Sequence, residues 1–113
     1  MIEQIRPRDL ATWLRRHHGE TAPVVLDVRE PAEWRAASVE PDGFTLLNMS
    51  MGSVPARLHE LDPQTPVACL CHHGGRSMQV AQFLAGRGFA QVANIAGGID
   101  AWAVEIDGRI PRY

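Results

Sequence analysis

Short apolar runs alternate with amphipathic stretches along this chain, the pattern of a parallel sheet covered by helices on its faces. Pro23-Val24-Val25-Leu26-Asp27-Val28 is apolar throughout except for Asp27, as a central strand buried on both sides requires. Thr45 to Asn48, Pro66 to Cys71 and Gln91 to Ile95 read as further strands. Between them the apolar spacing turns helical. Asp9 is placed to cap a helix carrying Leu10, Trp13, Leu14 and His17 on one stripe, with Gly19 as its stop. Pro31 suits the first position of a short helix through Trp34 and Arg35. Pro55 to Leu61 predicts a helix with Leu58 and Leu61 inward, and Asp62-Pro63-Gln64-Thr65-Pro66 ends it. Ser77, Val80, Ala81 and Leu84 share a helical face closed by Gly86 and Gly88, and Gly97-Gly98-Ile99-Asp100-Ala101-Trp102 turns into a last short helix. Ser38 to Gly43 reads as an irregular surface loop, and the tail from Gly108 to Tyr113 as a surface wrap.

At 113 residues, with 45% hydrophobic and 21% charged positions, the chain fits one compact domain spanning 1–113. A formal charge of −2 and a pI near 6.2 give no reason to expect a nucleic-acid partner or an anionic membrane surface. The first ten residues lack the apolar stretch of a secretion signal, and no apolar run is long enough to span a bilayer. A cytoplasmic location is therefore expected.

The candidate chemistry lies where the Pro66 to Cys71 run stops and Cys71-His72-His73-Gly74-Gly75-Arg76-Ser77 begins. A buried strand that ends at a cysteine, turns through two glycines and starts a helix surrounds the sulfur with main-chain N–H groups. Those groups and the helix N-terminus favour negative charge, and His72, His73 and Arg76 can add positive potential. The arrangement suits a thiolate and an anion held against it. A helix N-terminus contributes about 0.3–1 kcal/mol toward an anion, up to about 2 when partly buried, so direct N–H···S contacts or a nearby cation must add to it. Cys69 lies two positions earlier on the same strand, which sets the Cα atoms roughly 6.6 Å apart, the upper limit for a disulfide. Cys69 therefore reads as a small buried hydrophobe facing the same side as Cys71.

Four segments together resemble the rhodanese family of single-domain sulfurtransferases. Leu26 to Trp34 resembles the family's strand-and-turn signature, and Asn48 to Leu61 its next strand and Pro-initiated helix. Cys71 to Ser77 resembles the active-site loop, and Gly97 to Trp102 the C-terminal element. Where many members carry a Gly-His pair, this chain has Ala37-Ser38 followed by a Pro-Asp-Gly stretch. The related phosphatases and arsenate reductases have a loop one residue longer, which would put the arginine at position 77, occupied here by Ser77.

The resemblance implies a three-layer α/β/α fold with about five mainly parallel strands. It implies that Cys71 takes sulfane sulfur from a small anionic donor such as thiosulfate, becomes a persulfide, and passes the sulfur to cyanide or a thiol without a cofactor. In that family His72, His73, Gly74, Gly75, Arg76 and Ser77 would form the substrate loop, with Asp27 and Arg29 supporting it; the Arg76 guanidinium could either orient an anionic donor or tie the loop to a neighbouring carboxylate. An alternative is a persulfide carrier or regulatory module that serves a sulfur-accepting protein and turns over little by itself. A zinc or copper cluster at Cys69, Cys71, His72 and His73 is the remaining reading. Crowding of these ligands and the lack of a second cluster argue against it, and no metal is expected.

Overall fold

The computed structural model describes residues 1–113. The chain forms a five-stranded, all-parallel sheet from β1 (Glu3–Ile5), β2 (Val24–Asp27), β3 (Thr45–Asn48), β4 (Val67–Leu70) and β5 (Val92–Ile95) in the order β1-β5-β4-β2-β3. Four α-helices accompany it: α1 (Leu10–Arg16), α2 (Pro31–Ala36), α3 (Gly75–Gly86) and α4 (Gly98–Glu105). The expected α/β architecture is present.

Alternate strand residues feed two separate cores, as the period-two pleat demands. Val25, Ala68, Leu70, Ala93 and Ile95 face a core closed by Leu10, Trp13 and Leu14 of α1 and by Ile99, Trp102 and Ala103 of α4. Leu26, Val67, Cys69 and Cys71 face the opposite core, closed by Val80, Ala81 and Leu84 of α3. Both cysteines thus point to the α3 side of the sheet, and both are free thiols. β4 is buried at every position, which is why its sequence is a continuous apolar run with no alternation.

One strand was not anticipated and two local expectations are corrected. Glu3–Ile5 is a strand, although only Ile5 of its three residues is buried; an edge strand this short carries too little pattern to be seen in sequence. Asp9 makes no side-chain cap, because Pro7–Asp9 already forms a 3-10 turn that leads into α1. The segment 55–61 is not an α-helix: 3-10 turns at Met51–Ser53 and Leu58–Glu60 frame irregular turns. A helix running on unbroken from Met51 would need an N–H that Pro55 lacks, and the stretch is broken into short turns on either side of it.

Candidate active site

Cys71 follows the last residue of β4, at the carboxyl edge of the sheet where open α/β folds place their sites. The chain then turns through Gly74, whose φ of +109° is open to glycine at little cost, and enters α3 at Gly75. The Gly74 N–H donates to Cys71 Sγ at 3.0 Å, and Ser77 Oγ lies 3.2 Å from the same sulfur. The N–H groups of His72, His73, Gly75, Arg76 and Ser77 donate to no protein acceptor, as expected for the first turn of a helix and the loop before it. A run of main-chain donors therefore adjoins the sulfur.

The second glycine pair explains how the loop is held. Ile99 N–H donates to the Cys71 carbonyl at 2.9 Å and Asp100 N–H to the His72 carbonyl at 3.2 Å. In trans peptides N–H and C=O point opposite ways, so these contacts turn the His72 and His73 N–H groups away from α4. Such an approach needs a residue without a side chain. A Cβ at Gly98 would sit 2.4 Å from both carbonyl oxygens, and its φ is +61°.

Arg76 does not reach toward the sulfur as a free cation. Its Nη1 and Nη2 donate to Glu33 Oε1 and Oε2 at 2.6 and 2.9 Å. Glu33 also accepts the Glu30 N–H at 3.0 Å and the Tyr113 hydroxyl at 2.7 Å. Arg76 in the first place, then the Glu30 N–H and the Tyr113 hydroxyl, hold the Glu33 carboxyl well below the usual carboxylate range against the opposing effect of burial. Glu33 in turn raises the Arg76 guanidinium. The pair is close to neutral as a unit.

Arg29 is likewise committed. It is fully buried with Asp27, and Nε and Nη2 donate to the Asp27 carboxylate at 2.7–3.1 Å. The remaining hydrogens go to the carbonyls of Glu33 and Ala37 and to the Tyr113 hydroxyl, at 3.1, 2.7 and 2.9 Å. Guanidinium has five N–H donors, and every one is used. Asp27 and Arg29 thus brace α2 and the tail, and through Tyr113 they reach Glu33; they make no direct bond to Cys71. Both arginines are therefore paired with carboxylates, and a main-chain N–H, that of Gly74, donates directly to the sulfur.

His72 stacks between His73 and Tyr113, each at 3.9 Å between ring centroids, so the tail wraps the surface at this loop in particular. Arg112 fastens the tail further through Asp100, at 2.8 and 3.0 Å. Cys69 lies fully buried in the core, where burial and then the neighbouring Cys71 raise its thiol far above the ordinary range. No group of three or more His, Cys, Asp and Glu side chains is arranged to hold a metal ion.

The sequence reading assigned no role to Glu33, Tyr113 or Asn94. Asn94 of β5 is buried beside Ser77, with Oδ1 and Oγ 2.5 Å apart. Two of the three left a trace. Glu33 stands three residues after Glu30 at a helix start, the capping-box spacing, and Asn94 is a polar residue at an inward-facing strand position. Tyr113 left none, because its partners lie far away in sequence.

The parallel fold and the cysteine loop at a helix N-terminus define a class: α/β domains that present a thiol among main-chain anion donors. Comparison with known proteins narrows this. The rhodanese-like domain model matches residues 10–105, and the chain belongs to that sulfurtransferase family. A curated relative, the chloroplastic rhodanese-like/PpiC domain-containing protein 12 of Arabidopsis thaliana, is 41% identical over 91 residues, covering 79% of this chain and 30% of that protein. The chain thus spans less than a third of that relative's length. Among solved structures, a rhodanese-related protein from Thermoplasma volcanium superposes with a TM-score of 0.75 at 28% identity, over 92% of this chain and 93% of that one. The polysulfide-sulfur transferase of Wolinella succinogenes gives a TM-score of 0.72 at 29% identity, over 92% and 74% of the two chains.

Proposed function

We propose that this protein moves sulfane sulfur through a persulfide on Cys71. The thiolate attacks the outer sulfur of a donor such as thiosulfate; a new S–S bond forms as the donor's S–S bond breaks, and sulfite leaves with the bonding pair. Cyanide or a thiolate then attacks the terminal persulfide sulfur, and Cys71 departs as thiolate. The supporting observation is the Gly74 N–H on Sγ at 3.0 Å, flanked by loop N–H groups that have no protein acceptor. These donors suit both a charged sulfur and an anionic donor group. The sulfur chemistry named for the Wolinella relative is of the same class. Two free cysteines suit a reducing compartment such as the cytoplasm.

The test is mass spectrometry after incubation with thiosulfate: one added sulfur on the peptide containing Cys71, and none in Cys71→Ser. The same substitution abolishes cyanide-dependent thiocyanate formation. Full activity in Cys71→Ser removes Cys71 from the mechanism.

A second reading, a persulfide carrier for a sulfur-accepting protein, draws on the Glu33–Arg76 pair. Glu33 engages Arg76 through both carboxylate oxygens, which leaves little net positive charge for a dianionic donor. Slow thiosulfate turnover beside fast persulfide transfer to a protein thiol would favour the carrier.

A further inference from the structure

Asn94 of β5 stands in register with Cys69 of β4 on one side and with Gln4 of β1 on the other, and is only 3% exposed. Its Nδ2 lies 2.9 Å from Gln4 Oε1 and 3.2 Å from the Gly74 carbonyl oxygen. A main-chain carbonyl only accepts, so the amide has to present its NH2 there and its oxygen to Ser77. That oxygen is also an acceptor only. The Ser77 hydroxyl therefore donates to Asn94 Oδ1 across 2.5 Å, the short end of the range for O–H···O.

A hydroxyl has one hydrogen. With it on Asn94, Ser77 Oγ faces Cys71 Sγ at 3.2 Å with lone pairs, which accept the S–H of a neutral thiol and oppose a charged sulfur. Rotation of the same hydroxyl would turn its hydrogen to the sulfur and leave Asn94 Oδ1 short of a donor in a buried site. Hydrogen bonds to charged groups are worth more than those between neutral ones, so the exchange is drawn toward the sulfur only when the sulfur is charged.

We propose that Asn94 is a positioning residue that holds the Ser77 hydroxyl hydrogen off the neutral Cys71 thiol and yields it when the sulfur becomes thiolate or persulfide. This rests on Cys71 being the reacting group. Asn94 touches neither sulfur nor substrate and acts only through Ser77.

The test is a double-mutant cycle on the full chain, reading alkylation of Cys71 by chloroacetamide, a neutral reagent, at one fixed pH near neutrality. Removing the competing acceptor in Asn94→Ala frees the hydroxyl for the sulfur and speeds alkylation about fivefold. In the Ser77→Ala background the same change has no effect, since there is no hydroxyl to redirect. Equal acceleration in both backgrounds, or none in Asn94→Ala, overturns the proposal. If Asn94→Ala does not fold, the infrared S–H stretch of Cys71 decides, recorded in a Cys69→Ala background. An S–H bonded to Ser77 absorbs at lower frequency than in Ser77→Ala, and equal frequencies overturn the proposal. No sulfur donor enters either experiment, so a failure here is separable from failure to form a persulfide with thiosulfate.

Discussion

Replacing Glu33 by Gln removes one negative charge beside the cysteine loop and leaves a side chain of almost the same shape. Glu33 accepts two N–H groups of Arg76, the Glu30 N–H and the Tyr113 hydroxyl. The amide cannot satisfy the bidentate guanidinium, so charge-assisted hydrogen bonds give way to weaker ones. With the two side chains 32% and 20% exposed, solvent discounts the loss to about 1 kcal/mol, a fall in Tm of about 4 °C for a chain of this length. The functional effect has the opposite sign. Arg76 keeps its charge, and the site gains one unit of positive potential. A screened interaction of about 1–2 kcal/mol with a bound anion corresponds to about a 5- to 30-fold lower KM for thiosulfate. The value of kcat should hardly move, because binding improves without touching the bond-breaking step. Thiocyanate formation at varied thiosulfate and constant cyanide reads this, and the gain should shrink as salt rises. If Glu33→Gln leaves KM unchanged at low salt, the carboxylate does not limit donor binding and the argument from charge pairing is wrong.

Other expectations follow from the same contacts. Gly98→Ala places a Cβ against the Cys71 and His72 carbonyls; overpacking and a left-handed φ together cost about 2–5 kcal/mol, read by urea unfolding, and a loss under 1 kcal/mol would contradict the close approach. Asp27→Asn strands the charge of Arg29, which is fully buried, and should cost about 3–5 kcal/mol in the same assay. Because Glu33 titrates below its unfolded value, its contribution is complete above a pH of about 4.3 and is shed as pH falls through the depressed folded value. Glu33→Gln should therefore flatten the acid limb of stability against pH, and an unchanged limb would refute that assignment.

The central layer was legible because buried parallel strands announce themselves: Val24–Asp27 and Val67–Leu70 are apolar runs that only a sheet covered on both faces explains. The cysteine loop was legible because its residues are contiguous. What stayed hidden depends on distant partners. Glu3–Ile5 is a strand only because β5 supplies its hydrogen bonds, and nothing local distinguishes it from an extended terminus. Arg76 is followed in sequence by residues that say nothing of Glu33, which meets it from 43 positions away. Tyr113 finds Arg29 across 84. The place of the cysteine between a strand end and a helix start could be read along the chain, while the neutralisation of its neighbouring cation could be read only across it.

The pairing of the first strand with the last also sets a timetable for synthesis. Gln4 emerges from the ribosome 90 residues before Asn94, its partner. At about 5–20 residues per second, that is a wait of about 5–20 seconds. Throughout it Glu3–Ile5 has no template, and β4, once made, keeps an open edge until β5 docks. Nascent chains halted before Val92 should accordingly stay sensitive to protease and engage chaperones, and the domain should acquire resistance only once its final strand has been released.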